Sequence, residues 1–231
     1  MTDLLYQTDS YLQEFDATVT SVLDRTACYP GGGGQPCDFG TLTIEGTAYP
    51  VDKVKKQGDD VLHFLGGDLP LPSIGATSHG TLDWARRYEL MRTHTALHVL
   101  CGTIFRDYGA RVTGGDMEPL KGRLDFEFET MRGELVREIE ASINKEVAQA
   151  REIRVKILPC EEAFQIPDLI RTKINLLPEG ITQVRTLEIV GLDLQADGGT
   201  HVHNTSEVGK IRVADYKSKG AINKRIYIEL E

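Results

Sequence analysis

The chain has six histidines among its 231 residues, and two of them, His94 and His98, lie four residues apart in the apolar stretch RTHTALHVLCG, residues 92–102. On a helix, positions four apart share a face, so both imidazoles point the same way, in line with Leu90, Cys101 and Phe105. An unpaired polar group in a core costs roughly 1–3 kcal/mol, so two buried imidazoles need partners. Two hydrogen-bonded core histidines would satisfy that requirement, and so would two ligands of one metal. Thr-Ala-Leu stands between them, which removes the glutamate base of the H-E-x-x-H zinc proteases. A second cluster, QADGGTHVHN (195–204), sets Asp197 and His201 four residues apart around a Gly-Gly turn. Three histidines and one aspartate make a sound tetrahedral zinc set. His203 competes for the place of His201, because residues two apart in an extended strand face the same side.

The third stretch is TACYPGGGGQP, residues 26–36. Four consecutive glycines, Gly31, Gly32, Gly33 and Gly34, fill no core; they let backbone approach something closely and can leave amide N–H groups for an anion or a carbonyl. A flexible hairpin loop would use the same residues. Thr26 and Gln35 flank the run and add a hydroxyl and an amide for recognition.

The elements that must position these residues differ along the chain. Residues 13–66 read as β, with short β-branched stretches cut by glycine and turn residues. The Gly-, Pro- and Ser-rich segment 67–80 marks a boundary, dividing a β-rich, barrel-like domain (1–80) from a second domain (81–231). There the period changes: Asp83 caps a helix running from about Trp84 to Arg106. A strand is expected near RLDFEF, and a second helix from about Met131 to Ala150 with Leu135, Ile139, Ile143 and Val147 on one face. A strand at IRVKIL, a shorter helix near EEAFQIPDLIRTK and strands near ITQVRTLEIV, EVGKIRVADY and NKRIYIEL complete an α+β fold with helices packed on a mainly antiparallel sheet.

Composition narrows the class. Apolar residues make up 40% and charged residues 26%, as in globular proteins, and no run of about 18 apolar residues suggests a membrane span. The N-terminus does not read as a signal peptide, and four scattered cysteines without a C-x-x-C pair fit a reduced, cytoplasmic compartment. A net charge of −9 argues against a bulk nucleic-acid binder. Residues 210–231 nonetheless carry six basic residues, Lys217 and Lys219 among them, against three acidic ones. That strip is either a solvated edge hairpin or a local contact for phosphates.

Taken together, TACYPGGGGQP, LDWARRYELMRTHTALHVL and GLDLQADGGTHVHNTSEVG resemble the AlaX family, the free-standing relatives of the alanyl-tRNA synthetase editing domain, in its medium-length form. The family patterns are T-x-F-Y-P-x-G-G-G-Q-P, an H-x-x-x-H helix with a D-W-x-R-R lead, and C-G-G-T-H-V-x-x-T-x-E-I-G. The resemblance spans nearly the whole chain. It implies an aminoacyl-tRNA deacylase that uses zinc and hydrolyses the ester of tRNA(Ala) mischarged with serine or glycine, with the acceptor end of that tRNA as its partner. His94, His98 and His201 match the metal-binding histidines. Thr26 matches the threonine whose hydroxyl can meet a serine side chain, and Gln35 matches the motif's glutamine, which makes these two the candidate catalytic residues beside a substrate-binding loop, Gly31–Gly34. Arg86 and Arg87, in the D-W-x-R-R lead, join Lys217 and Lys219 as expected contacts to the tRNA backbone.

One position departs. Where the family has a metal-binding cysteine, this chain has Asp197. Carboxylate oxygen binds zinc at about 2.0–2.2 Å against about 2.3 Å for thiolate, so ligation is chemically sensible but harder. A metal can activate water and polarise a carbonyl, or anchor the ribose end while glycine-loop amides hold the oxyanion. Two other functions fit the same residues: a tRNA-binding relative whose site has decayed, and a metallohydrolase of the same fold acting on another ester or amide.

Overall fold

The computed structural model describes residues 1–67, 69–172 and 180–231, and it is an α+β protein of mostly antiparallel sheets. The chain divides into two compact units, Met1–Glu89 and Leu90–Glu231. Among the described residues, no helix is long and apolar enough to cross a membrane.

In the first unit, β1 (Asp3–Leu4) pairs in parallel with β3 (Arg25–Thr26). The main sheet has the order β2-β7-β4-β5-β6, from β2 (Glu14–Thr18), β4 (Gly40–Ile44), β5 (Thr47–Gln57), β6 (Asp60–Leu65) and β7 (Thr77–Leu82). Its buried face is built by residues alternating along the strands: Phe15 and Ala17, Leu42 and Ile44, Tyr49 and Val51. The Gly- and Pro-rich stretch near residue 70 leads into β7, which pairs with both β2 and β4. Gly80 lies opposite Phe15, and a Cβ there would stand 2.3 Å from the ring, so that aromatic lies flat on a position only glycine can fill.

Helix α1 (Trp84–Tyr108) starts as its sequence predicts: the Asp83 carboxylate accepts the Arg86 amide at 3.2 Å. Arg87, expected at a phosphate, is instead wholly buried. Its Nε donates to Asp38 Oδ1 at 2.9 Å, its Nη2 to Asp38 Oδ2 and to the Ala27 carbonyl, and its Nη1 to the Ser10 carbonyl at 3.0 Å. Four of its five N–H groups are spent inside the protein and the side chain is wholly buried, so it presents no donor at the surface. Arg86 is half-buried, with its guanidinium 4.0 Å from the centre of the Phe39 ring.

In the second unit, β8 (Val112–Glu118), β9 (Lys121–Glu127), β13 (Ile211–Ser218) and β14 (Asn223–Leu230) form a sheet of order β13-β14-β9-β8. A second sheet has the order β10-β11-β12, from β10 (Ile153–Pro159), β11 (Gln183–Ile189) and β12 (Asp193–Ala196). Helix α2 (Gly133–Ala148) buries Val136, Ile139, Ile143 and Val147. It also covers the open edge of β13: Asn144 bonds both the amide and the carbonyl of Ile211, and Glu140 accepts the Val213 amide at 2.6 Å. The expected helix over 161–173 is only the single turn α3 (Cys160–Ala163), because Pro167 cannot continue it; residue 173 lies outside the described residues. Within α1, residues 93–104 are buried on every face rather than along one stripe. One side lies on β9, where Gly122 leaves room for Leu97; the other meets the start of β12, where Gly102 leaves room for Asp193.

Replacing Arg87 strands a buried carboxylate. Arg87→Leu is expected to lower folding stability by about 3–5 kcal/mol in chemical denaturation. A loss below about 1 kcal/mol would show that the pair is not desolvated in solution.

Candidate metal centre and glycine-rich loop

Helix α1 supplies two side chains one turn apart, and the turn after β12 supplies two more. His94, His98, Asp197 and His201 each offer a ligand atom, and these atoms all lie within 4.8 Å of one another. His94 Nε2 and His98 Nε2 stand 3.5 and 3.8 Å from Asp197 Oδ1, and His201 Nε2 stands 3.1 Å from Oδ2. The three imidazole centroids are 4.2 to 5.1 Å apart. His203, the competing ligand, is exposed and outside the cluster, since residues 197–203 form a turn and not a strand.

The backs of the rings are fixed as well. His201 Nδ1 meets Thr95 Oγ1 at 3.1 Å, and that oxygen also accepts the Val202 amide. His98 Nδ1 lies 3.4 Å from Asp193 Oδ2. Asp197 is held from below: its Oδ2 accepts the Gly199 amide at 2.7 Å, and Arg185 Nη1 donates to its backbone carbonyl at 2.9 Å.

Burial dominates the electrostatics. It pushes His201 down to about 4 and, helped by the neighbouring His201, holds His94 well below the ordinary imidazole range. Burial opposes the charged form of His98 too, but its bonds to Asp193 and Asp197 prevail and raise it to about 9. Burial alone would raise Asp197; the surrounding imidazoles outweigh it and keep the carboxylate ionised. An anionic oxygen ringed by nitrogens in a dry setting suits a divalent cation with nitrogen and oxygen preference, so the residues present fit a metal.

Gly31, Gly32, Gly33 and Gly34 have φ of 84, 140, 57 and 90°, a run that L side chains rarely adopt. Gly32 and Gln35 exchange backbone bonds at 3.0 and 2.9 Å around Gly33–Gly34, with positive φ at both central residues as in a type I′ turn. Tyr29 donates from its hydroxyl to the Gly32 carbonyl, and its amide donates to Asp38, the partner of Arg87. Thr26 and Gln35 are buried at the base of the loop. Thr26 Oγ1 accepts the Cys28 amide at 3.0 Å and pairs with His63 Nε2 at 2.9 Å. Burial lowers His63 to about 4 and raises the Cys28 thiol to about 12. The Cys101 thiol, beside His98 on α1, is likewise raised by burial.

Sequence reasoning missed Asp193, Gln195, Thr95, Arg185 and His63. The alternation of Asp193 and Gln195 on β12 and a glycine at 102 inside an apolar helix were the available signals. In the C-terminal hairpin, Lys217 pairs with Asp215 at 3.0 Å, Lys210 with Glu231, Arg212 with Glu229 and Arg225 with Asp125, so much of the strip's charge is balanced locally.

Residues 184–227 match the family described as the threonyl and alanyl tRNA synthetase second additional domain. The chain is 38% identical over 237 residues to the alanyl-tRNA editing protein AlaX-M of Saccharolobus solfataricus, covering 98% of each. It is 36% identical to AlaX-M of Methanosarcina acetivorans over 100% of this chain and 99% of that relative. It is also 38% identical over 222 residues to the alanine–tRNA ligase of Thermococcus kodakarensis, which is 92% of this chain and 24% of the ligase.

Elemental analysis of the purified protein tests the centre. His98→Ala and Asp197→Ala are each expected to lose most of the parent's divalent metal while His203→Ala keeps it. Full metal content in the first two variants would show that the cluster is not the binding site.

Proposed function

The chain belongs to the AlaX-M family of alanyl-tRNA editing proteins, and from that premise we propose that it is a zinc-dependent trans-editing hydrolase that removes serine, and also glycine, from mischarged tRNA(Ala). Alanyl-tRNA editing proteins deacylate mischarged tRNA, which makes the reaction an ester hydrolysis. The observation that carries the reading is the convergence of four donors within 4.8 Å in a chain that matches editing proteins from end to end. That convergence also argues against a decayed site, since Asp197 stands among the three imidazoles. A cytoplasmic setting, where translation runs, suits four free cysteines.

The reaction adds water to the ester carbonyl carbon and expels the ribose hydroxyl, which leaves with a proton. When bound, zinc supplies Lewis-acid chemistry, either polarising that carbonyl or holding the ribose end of the tRNA. His94, His98, His201 and Asp197 would hold the ion, with the Thr95 hydroxyl bonded to the back of the His201 ring. In the first unit, the Gly31–Gly34 turn offers backbone donors for oxygen that gains charge. Thr26, with Gln35 beside it, reads the amino-acid side chain. Arg86, Lys217 and Lys219 hold the tRNA backbone.

The decisive experiment is loss of ester from serine-, glycine- and alanine-charged tRNA(Ala). Seryl and glycyl esters are expected to be cleaved and the alanyl ester spared; no cleavage of any would overturn the reading. Seryl and alanyl esters differ by one hydroxyl, and a site that hydrogen-bonds it can reject the analogue lacking it by on the order of 10⁴. Thr26→Val is therefore expected to slow the seryl reaction far more than the glycyl one, and Thr26→Ser to restore it. Because the hydroxyl also accepts the Cys28 amide, an equal loss on both substrates would assign Thr26 a structural role alone.

Charge reversal tests the grip on the tRNA backbone. Lys217→Glu with Lys219→Glu is expected to weaken tRNA binding and to lower the slope of log affinity against log salt by up to about one unit for each phosphate that a lysine no longer neutralises. Metal content should stay as in the parent. Unchanged binding at low salt would make these two lysines ordinary surface residues.

A further inference from the structure

We propose that Asp193 is a positioning residue for His98, holding that imidazole so that Nε2 faces the cation. The inference rests on the reading of the four-residue cluster as a metal centre. Asp193 opens β12 with its side chain 1% exposed. Its Oδ2 stands 3.4 Å from His98 Nδ1, while His98 Nε2, on the far edge of the ring, stands 3.8 Å from Asp197 Oδ1. An imidazole that donates its Nδ1 proton to a carboxylate presents the Nε2 lone pair as a ligand, in a fixed plane and with raised basicity.

The carboxylate is itself placed from several sides. Gln195 Nε2, on the same face of β12, donates to Oδ2 at 2.5 Å and stands 3.3 Å from His98 Nδ1, so two donors aim at one oxygen. Arg171 Nη2 lies 3.6 Å from Oδ1, and its guanidinium is 3.7 Å from the centre of the Phe105 ring on α1. A carboxylate this deep is costly unless its partners compensate it.

Helix α1 also yields space to it. Gly102 sits one turn beyond His98, and a Cβ there would stand 2.8 Å from the Asp193 Cβ. Glycine is a poorer helix former than alanine. The helix gives up that propensity at the position where the carboxylate must come in. A role confined to neutralising Arg171 would require no approach to the histidine.

The test titrates the metal-free protein with Co²⁺ and with Zn²⁺ against a competing chelator, and records the visible d–d spectrum of the cobalt form, which reports ligand geometry. Asp193→Asn is expected to weaken binding about 10–100-fold, to alter the cobalt spectrum, and to keep the metal-free protein folded. Gly102→Ala moves the carboxylate without changing its charge and is expected to weaken binding in the same direction; it decides the matter if Asp193→Asn does not fold. Parental affinity and an unaltered spectrum in either folded variant would overturn the role. A parent protein that binds neither ion would overturn the metal reading itself, and that outcome is distinct from metal binding that ignores Asp193.

Discussion

A carboxylate set among three imidazoles, Asp197, is the constraint around which the second unit is arranged. At 4 Å and an effective dielectric of 20, two unit charges interact by about 4 kcal/mol, so Asp197 and its neighbours cannot be placed loosely. The Gly199 amide donates to it, Arg185 Nη1 stands 3.5 Å away, and a nitrogen of each imidazole lies within 3.8 Å. Burial on all faces of α1 follows from this, because a helix that carries His94 and His98 into the interior must be covered on both sides. Gly122 and Gly102 are the two places where sheet or helix backbone gives way to allow it.

The first unit uses the same device at its glycine turn. Asp38 accepts the Tyr29 amide at one end of the loop and holds Arg87, while Arg87 reaches the Ala27 and Ser10 carbonyls. In both units a glycine-containing turn, which has little side-chain packing of its own, is anchored by a buried carboxylate accepting a backbone amide. Backbone that would otherwise lose much entropy on folding is tied at its base, and the tip is left to glycine.

The four clustered donors were legible because their spacing is short-range: i,i+4 on a helix and i,i+4 around a Gly-Gly turn survive translation into space with little help from tertiary structure. Helices α1 and α2 were legible for the same reason, through a capping aspartate and an apolar period. Arg87 was misread because a cationic pair in sequence looks like surface, and only the fold brings Asp38, 49 residues away, against it. Strand β8 escaped notice because Gly114 and Gly115 break its β pattern, and β12 because four residues carry too few alternations. Pro167 cut short a helix that its neighbours' polarity favoured. Asp193 was invisible as a partner of His98, since 95 residues separate them and nothing local links a strand's first residue to a helix turn.

The presence of Asp197 at a position where a thiolate would be the alternative carries a consequence for survival under oxidants. A thiolate ligand is a nucleophile that peroxide converts to sulfenic acid and beyond, destroying the site in steps that end irreversibly. A carboxylate has no such chemistry. Two nearby thiols, Cys101 on the turn of α1 after His98 and Cys28 two residues beyond Thr26, are buried and held in the unreactive protonated form. The donor set is therefore one that peroxide stress, which disables thiolate-ligated metal sites, leaves chemically intact.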